Sequence, residues 1–194
     1  MIVTKGKTEK IRYWDLPVED NKVDINQNAL KEELTNILDS SVRYRMISDV
    51  PFGSFLSGGL DSSILVSIMS KIQQDPIRTY TIGFNEDGYN EFEYAKQVAD
   101  QLKTEHKETT LEANSYLEAM ETMIKIKDAP LAVPNEIALH KLSKVLKKDI
   151  TVVLSGEGAD ELFGGYGRIF RSSYDYERLS SKEPLSIELQ ENLQ

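Results

Sequence analysis

Hydrophobic positions along the chain follow two spacings that alternate. After a polar opening to about residue 26, apolar side chains recur every three or four positions from about 28 to 45, behind a candidate helix cap at Asn26 or Asn28. Short apolar, β-branched or aromatic runs predict strands at 52–56, 78–84, 106–110 and 150–154. Between them, helical spacing recurs over 64–72, 95–102, 116–124 and 137–146. The pattern therefore predicts a helix followed by alternating strands and helices.

Alternating strands and helices are typical of an α/β fold with a parallel sheet, right-handed crossovers and helices on both faces. Ligands of such folds bind beyond the carboxyl ends of the strands, where the strand order reverses. Two polar, glycine-rich loops follow the first and last predicted strands, at 57–63 and 155–166. We therefore expect these loops to form the binding edge.

Composition narrows the function classes. The 194 residues include 23 Lys and Arg against 32 Asp and Glu, and a formal net charge of -9 argues against a nucleic-acid partner. The sequence contains no Cys, which excludes disulfides, thiolate metal sites and a cysteine nucleophile within these residues. No apolar run approaches the roughly 18 residues of a membrane span, so we expect a cytoplasmic protein without a membrane partner.

The first loop reads Ser-Gly-Gly-Leu-Asp-Ser-Ser over residues 57–63. Free N–H groups at a helix start bind anions, and glycines let a phosphate approach the backbone. Asp61 would repel that phosphate unless a divalent cation lay between them, which predicts Mg²⁺. The loop lacks the lysine of a Walker A motif. A plain cap with a tight turn would explain the glycine pair but not the whole string.

The second loop reads Ser-Gly-Glu-Gly-Ala-Asp-Glu-Leu-Phe-Gly-Gly-Tyr over residues 155–166. Its acids, Glu157, Asp160 and Glu161, repel one another beside a phosphate site unless a metal or a substrate cation offsets their charge. A helix start would account for one or two of them. The string as a whole favours a site that binds Mg²⁺ and handles an amine.

Both loops are similar in sequence to loops of known enzyme families. The first is similar to the pyrophosphate-binding loop of ATP pyrophosphatases. Both, about 100 residues apart, resemble the synthetase domain of glutamine-dependent asparagine synthetases and relatives such as β-lactam synthetases. The likeness runs from about residue 13 to 166. It implies the three-layer parallel-sheet α/β fold of the adenine nucleotide alpha hydrolase (ATP pyrophosphatase) type.

The resemblance also implies roles for particular residues. Asp61 and Asp160 would share Mg²⁺. Glu157 would take a proton from ammonia or help shape the reacting centre, and Glu161 would contact the acceptor's amino group. Adenosine would meet Leu56, Ile82 and Gly156, and Ser155 belongs to the same nucleotide site. The groups implied to hold pyrophosphate are Ser57, Gly58, Gly59, Asp61, Ser62 and Ser63.

The implied reaction is ATP-dependent amide formation. A carboxylate, with aspartate giving asparagine as the leading case, would be adenylated with release of pyrophosphate, and AMP would then be displaced by ammonia from glutamine. The partner would be a glutaminase domain, and a homodimer is compatible with the likeness. The alternatives are a relative that amidates a sugar acid, one that closes a lactam, one that adenylates a nucleic acid, and a nucleotide-binding module without chemistry.

Three main departures from the family pattern, and a milder one at Asn90, qualify this expectation. The glutaminase domain begins with a cysteine that this sequence lacks, and Lys182 does not match the family's catalytic lysine loop, so we expect a fragment that is inactive alone. Residues 128–136 lack the Thr-Thr-x-Arg pattern found near the aspartate carboxylate in some relatives, and Asn90 stands where Asp is usual. We expect an arm over 1–27, the ATP-binding domain over 28–178 and a tail over 179–194.

Overall fold

The computed structural model describes residues 1–15, 26–86, 88 and 90–167. The predicted tail, Lys182 and part of the predicted arm lie outside these residues. The chain divides into two compact units, residues 1–37 and 38–194. Within the described part, no helix combines the length and the apolar character needed to cross a bilayer.

The first unit begins with a small hairpin where the sequence predicts an irregular arm. Strands β1 (Ile2–Thr4) and β2 (Lys7–Glu9) pair antiparallel through a two-residue connection at Lys5 and Gly6. Gly6 has φ +77°, a conformation that glycine adopts without strain. The hydrophobic pattern missed this hairpin because both strands are exposed along their whole length and bury no face.

Helix α1 (Gln27–Arg45) confirms the first predicted helix and its cap. The Asn26 side chain accepts hydrogen bonds from the backbone N–H groups of Asn28, at 3.0 Å, and Ala29, at 3.4 Å. These bonds satisfy two of the amides that a helix start leaves without partners.

The second unit contains the remaining strands and helices, which alternate as predicted. They are β3 (Phe52–Phe55), α2 (Leu60–Ile72), β4 (Arg78–Phe84), α3 (Phe92–Leu102), β5 (Glu105–Leu111), α4 (Ala113–Lys127), α5 (Asn135–Leu146), β6 (Val152–Leu154) and α6 (Ala159–Phe163). The last strand is shorter than predicted. Ile150 continues from the end of α5, where its N–H donates to Leu146, and the N–H groups of Thr151 and Val152 both donate to Pro51.

The four strands form a parallel sheet in the order β5-β4-β3-β6. From β3 the chain moves through β4 to β5, then returns to the opposite side of β3 to add β6. The strand order therefore reverses between β3 and β6. This is the point at which parallel sheets bind ligands, and the loops that follow both strands meet there.

Helices cover both faces of the sheet and complete three layers. On one face, α1 and α2 place Val42 and Met69 against Leu154, while α2 and α3 pack together through Val66 and Ala95. On the other face, α5 packs against Tyr80 of β4 and meets α4 around a core that includes Leu111. The predicted α/β fold with a parallel sheet between helices is confirmed.

Candidate active site

The first predicted loop connects β3 to α2 and is held by its own serines. The Ser62 hydroxyl accepts from the Ser57 N–H at 3.2 Å and lies 3.0 Å from the Ser57 hydroxyl, which in turn accepts from the Gly59 N–H at 3.2 Å. Gly59 is the N-cap of α2 and makes no side-chain cap bond. A 13-residue helix therefore begins at this loop with N–H groups available for an anion.

Gly58 shows why this loop needs a glycine. Its φ is +82°, and a β-carbon there would stand 2.5 Å from the backbone of Tyr94 and Ala95 in the first turn of α3. From the sequence, the glycine pair is predicted to let a phosphate approach the backbone. For Gly58 the structure shows a different requirement, close packing of the loop on α3, whereas a β-carbon at Gly59 would meet only the Ser57 hydroxyl, at 3.2 Å.

The second loop lies directly on the first. A β-carbon on Gly156 would stand 3.1 Å from the Asp61 β-carbon and 3.3 Å from the Ser62 nitrogen. Beneath them, the Thr81 hydroxyl donates to the Leu56 carbonyl, and the Leu56 N–H donates to Tyr80 at 3.0 Å, so the end of β3 stays joined to β4. Both loops therefore border one space on a rigid part of the sheet.

That space is a cavity of about 390 Å³ at the carboxyl edge of the sheet. Most of the predicted site residues line it: Leu56, Ser57, Asp61, Ser62, Ile82, Ser155, Gly156, Glu157 and Asp160. Four others, Gly58, Gly59, Ser63 and Glu161, do not. The Ser63 hydroxyl is buried without a hydrogen-bond partner among the described residues.

The cavity is strongly acidic. Its carboxylates belong to Asp61, Glu91, Glu157 and Asp160, and within the described part of the chain no Lys, Arg or His lines it. Such a surface repels a triphosphate unless cations intervene.

The donors present fit Mg²⁺ held jointly with a nucleotide. Asp61 and Asp160 both border the cavity, beside serine hydroxyls, and Mg²⁺ binds through one or two carboxylates together with substrate phosphates. Among the described residues no three acidic or histidine side chains group as a metal site of their own. The arrangement therefore suits a metal that arrives with the nucleotide.

Glu161 points its carboxylate at a neighbouring tyrosine. The Tyr166 hydroxyl donates to Oε1 of Glu161 at 2.7 Å, and Tyr166 lines the cavity. This hydrogen bond lowers the pKa of Glu161 and raises the pKa of Tyr166 to about 12, because it favours the carboxylate and the neutral phenol. In this arrangement Glu161 fixes the position of Tyr166, which lines the cavity.

On the side of the cavity formed by α5 and β4, the sequence predicted only Ile82. Asn135, Ala138, Leu139 and Leu142 share one helical stripe on α5, at spacings of three, four and seven residues, and all four border the cavity. Opposite them stand Tyr80, Ile82 and Phe84, alternate residues of β4. The repeated spacing on α5 was visible in the sequence, but it also describes an ordinary core helix.

Tyr80 makes this side rigid. It is 1% exposed, and its hydroxyl lies 3.3 Å from the carboxylate of Asp149, which pairs with Lys107 at 2.7 Å. Burial and the nearby Asp149 carboxylate raise the pKa of Tyr80 to about 12. Tyr80 therefore borders the cavity with its hydroxyl engaged by Asp149, which does not line the cavity.

Comparison with known proteins agrees with this geometry. A sequence profile of the asparagine synthase family matches residues 33–193. The chain belongs to the asparagine synthase family. The resemblance inferred from the two loops is therefore confirmed.

Individual members of the family align with most of this chain. It is 40% identical over 162 residues to asparagine synthetase [glutamine-hydrolyzing] 1 of Bacillus subtilis, an alignment that covers 82% of this chain and 25% of that protein. It is 31% identical over 175 residues to asparagine synthetase [glutamine-hydrolyzing] of Zea mays, with coverage of 83% and 29%. The chain thus spans between a quarter and a third of the length of these relatives.

Among solved structures, an NH3-dependent NAD synthetase from Campylobacter jejuni matches with a TM-score of 0.47 and 17% identity, covering 74% of this chain and 62% of its own. An NMN synthetase from Francisella tularensis gives a TM-score of 0.48 and 17% identity, with coverage of 74% and 59%.

Proposed function

We propose that this chain carries the ATP-binding site of an ATP-dependent, amide-forming ligase that adenylates a carboxylate. The observation that carries the proposal is the cavity in which the loops after β3 and β6 meet, with Gly156 packed on Asp61. Membership of the asparagine synthase family supports the same activity and favours aspartate as the acceptor.

The phosphates belong at the start of α2. Ser57, Ser62 and the N–H groups that begin the helix supply donors, and the hydroxyl network between these serines holds the donors in place before substrate arrives. Gly58, Gly59 and Ser63 complete the loop without bordering the cavity. Leu56, Ile82, Ser155 and Gly156 contact the nucleoside.

Asp61 and Asp160, which both border the cavity, are the residues that would hold Mg²⁺. When bound, the metal would neutralise charge on the phosphate oxygens during transfer. The two carboxylates then become favourable contacts rather than a source of repulsion, which explains acidic residues in a site for a polyanion.

Adenylation turns a poor electrophile into a good one. An oxygen of the acceptor carboxylate attacks the α-phosphorus, the bond from that phosphorus to the bridging oxygen breaks, and pyrophosphate leaves. Ammonia then attacks the activated carbonyl carbon, the bond from that carbon to the AMP oxygen breaks, and one of the three protons on the positively charged nitrogen passes to Glu157. Glu157 borders the cavity and is suited to this role.

An amino-acid acceptor carries a positively charged amino group. The carboxylates of the acidic cavity can bind that group. Glu161 reaches an acceptor ammonium only by exchanging its bond to Tyr166. Ammonia is supplied from glutamine by a glutaminase partner, as the names of the relatives suggest. The homodimer and the separate glutaminase domain belong to this proposal.

Labelled aspartate tests the reaction directly. Because we expect this chain to be inactive alone, the reaction is run with the whole enzyme that contains it. With ATP, Mg²⁺ and ammonia, aspartate carrying ¹⁸O in its carboxylates should yield AMP with one ¹⁸O atom and an equal amount of pyrophosphate. Glu157→Gln should still label AMP while forming less asparagine. ADP with labelled phosphate, or no calorimetric binding of MgATP, would contradict the proposal. Sugar acids and amino-dicarboxylates tested in place of aspartate would identify a different acceptor.

A further inference from the structure

We infer that Asn135 reads the base of the bound nucleotide, a specificity role that rests on the proposed function. The α5 residues Asn135, Ala138, Leu139 and Leu142 line the cavity on one stripe, and Asn135 is the sole polar member. The residue is exposed at the first turn of the helix, so its amide is accessible from the cavity.

The surroundings of Asn135 suit a flat, largely apolar group. Leu142 shares a buried cluster with Tyr80, and Ala138 belongs to a cluster against which Ile82 and Phe84 pack, so α5 and β4 together form one continuous apolar surface. Leu139 borders the cavity and remains 39% exposed, which leaves apolar surface for a ligand to cover. The two loops, by contrast, present carboxylates and serines, which suit phosphate, metal and amine groups rather than a base.

The Asn135 amide has no structural task in the described residues. Asparagine near a helix start usually caps it, but α5 makes no side-chain cap bond and the amide bonds to no other described residue. The preceding turn is held instead by Glu136, which accepts from Ala132 at 3.0 Å and Val133 at 3.4 Å and pairs with Lys127 at 2.5 Å. Asn135 is therefore presented on a fixed turn with both its donor and its acceptor unused.

Adenine matches that pair of groups. On the edge that carries N7, adenine places an amino donor beside a ring acceptor, so an asparagine amide can bond both at once, whereas guanine presents two acceptors there. A base lying on this apolar surface with its amino edge toward Asn135 would use both the apolar and the polar groups on this side of the cavity.

A double-mutant cycle between protein and ligand tests this role. The full chain, Asn135→Ala and the control Asn36→Ala are titrated in Mg²⁺ with ATP, with purine riboside triphosphate, which lacks the amino group, and with inorganic tripolyphosphate, which lacks the base. Asn36 is an exposed helical asparagine that lines no described cavity. One lost hydrogen bond corresponds to roughly a tenfold change in affinity.

We expect the wild type and Asn36→Ala to prefer ATP over purine riboside triphosphate by about tenfold, and Asn135→Ala to bind the two within about threefold, with tripolyphosphate affinity unchanged. An unchanged ATP preference in Asn135→Ala overturns the inference while leaving the proposed function intact, as does an equal loss for all three ligands. Raised acceptor KM with normal nucleotide binding would assign Asn135 to the acceptor and overturn it too. Failure of the wild type to bind ATP would instead contradict the proposed function.

Discussion

Gly156 packs directly against Asp61. The position that a β-carbon would occupy on Gly156 lies 3.1 Å from the Asp61 β-carbon and 3.3 Å from both the Asp61 carbonyl carbon and the Ser62 nitrogen. The loops that follow β3 and β6, about 100 residues apart in the chain, therefore touch without a side chain between them. A residue larger than glycine must push the two halves of the candidate site apart.

Gly156→Ala should weaken MgATP binding about tenfold or more while lowering stability only modestly, because the extra methyl group moves the loops and leaves the core unchanged. Isothermal titration calorimetry measures the first effect and thermal unfolding the second. Gly167→Ala is the matched control, since a β-carbon there meets no atom of the described residues within 4 Å. Equal binding by both variants would show that the loop contact does not shape the site.

Gly58→Ala should destabilise the fold. The added β-carbon meets the backbone of α3 at 2.5 Å and φ is +82°, so both collision and strain oppose it, by about 3 kcal/mol together. Gly88→Ala shares the strain, with φ +84°, but its β-carbon would meet no described atom within 4 Å, so it should cost only about 1 kcal/mol. Urea denaturation of the two variants separates the cost of strain from the cost of collision. Similar losses in the free energy of unfolding would rule out the contact with α3 as a cause.

The fold was predictable from the sequence because its elements obey simple periodicities. The strand over residues 78–84 was predicted with its observed bounds, and the helix over 28–45 within one residue. Both loops were placed at the binding edge because strand–loop–helix order fixes the end of the sheet at which such loops lie. Burial of one face is what makes these elements visible, and the exposed hairpin at residues 2–9 lacked that signal.

The site was predictable only in part. Sequence motifs mark backbone loops with unusual composition, so the serine and acidic residues stood out. Asn135, Leu139 and Tyr80 did not, because their place in the cavity depends on how α5 lies across β4, which no local pattern specifies. The bond between Tyr166 and Glu161 was equally invisible, although the residues are five apart, since it requires the turn at Gly164 and Gly165.

Glu161→Gln should bring the pKa of Tyr166 down from about 12 toward its ordinary value of 10. The Glu161 carboxylate accepts the phenolic proton and so opposes its loss, whereas a neutral amide opposes it less. NMR of protein labelled at the tyrosine ring carbon that bears the hydroxyl follows this titration, with Tyr166→Phe assigning the signal. A Tyr166 signal that titrates identically in both proteins would contradict the observed bond.

The turn before α5 should weaken in acid. Hydrogen bonds from Lys127 and from the Ala132 N–H lower the pKa of Glu136 below its ordinary value of 4.5. A carboxyl group whose pKa is lower in the folded state stabilises that state above pH 4.5, and the contribution disappears as pH falls through the folded value. Wild type should therefore be more stable than Glu136→Gln at pH 6, and the difference should vanish in stronger acid.

Denaturant unfolding between pH 2.5 and pH 7, a range of about two units on either side of the ordinary carboxyl value, measures this difference. Glu121→Gln is the control, because Glu121 and Lys125 form an exposed pair at 3.9 Å and such pairs contribute little. A difference between wild type and Glu136→Gln that stays constant with pH would exclude the carboxylate as its source.

The acidic cavity should make nucleotide binding depend on a divalent cation. Replacing one of its carboxylates should therefore change ATP affinity in opposite directions with and without the cation. Asp61→Asn removes a proposed metal ligand and also removes a charge that repels phosphate. It should weaken ATP binding about tenfold in Mg²⁺ yet strengthen it in EDTA, where only the repulsion operates. Asp75→Asn, which alters an acid that does not line the cavity, should change ATP affinity in neither condition.

Titration of the wild type and the two variants with ATP, in Mg²⁺ and in EDTA, measures the direction of each change in affinity. Weaker binding by Asp61→Asn in EDTA as well would mean that Asp61 holds the loop rather than the metal.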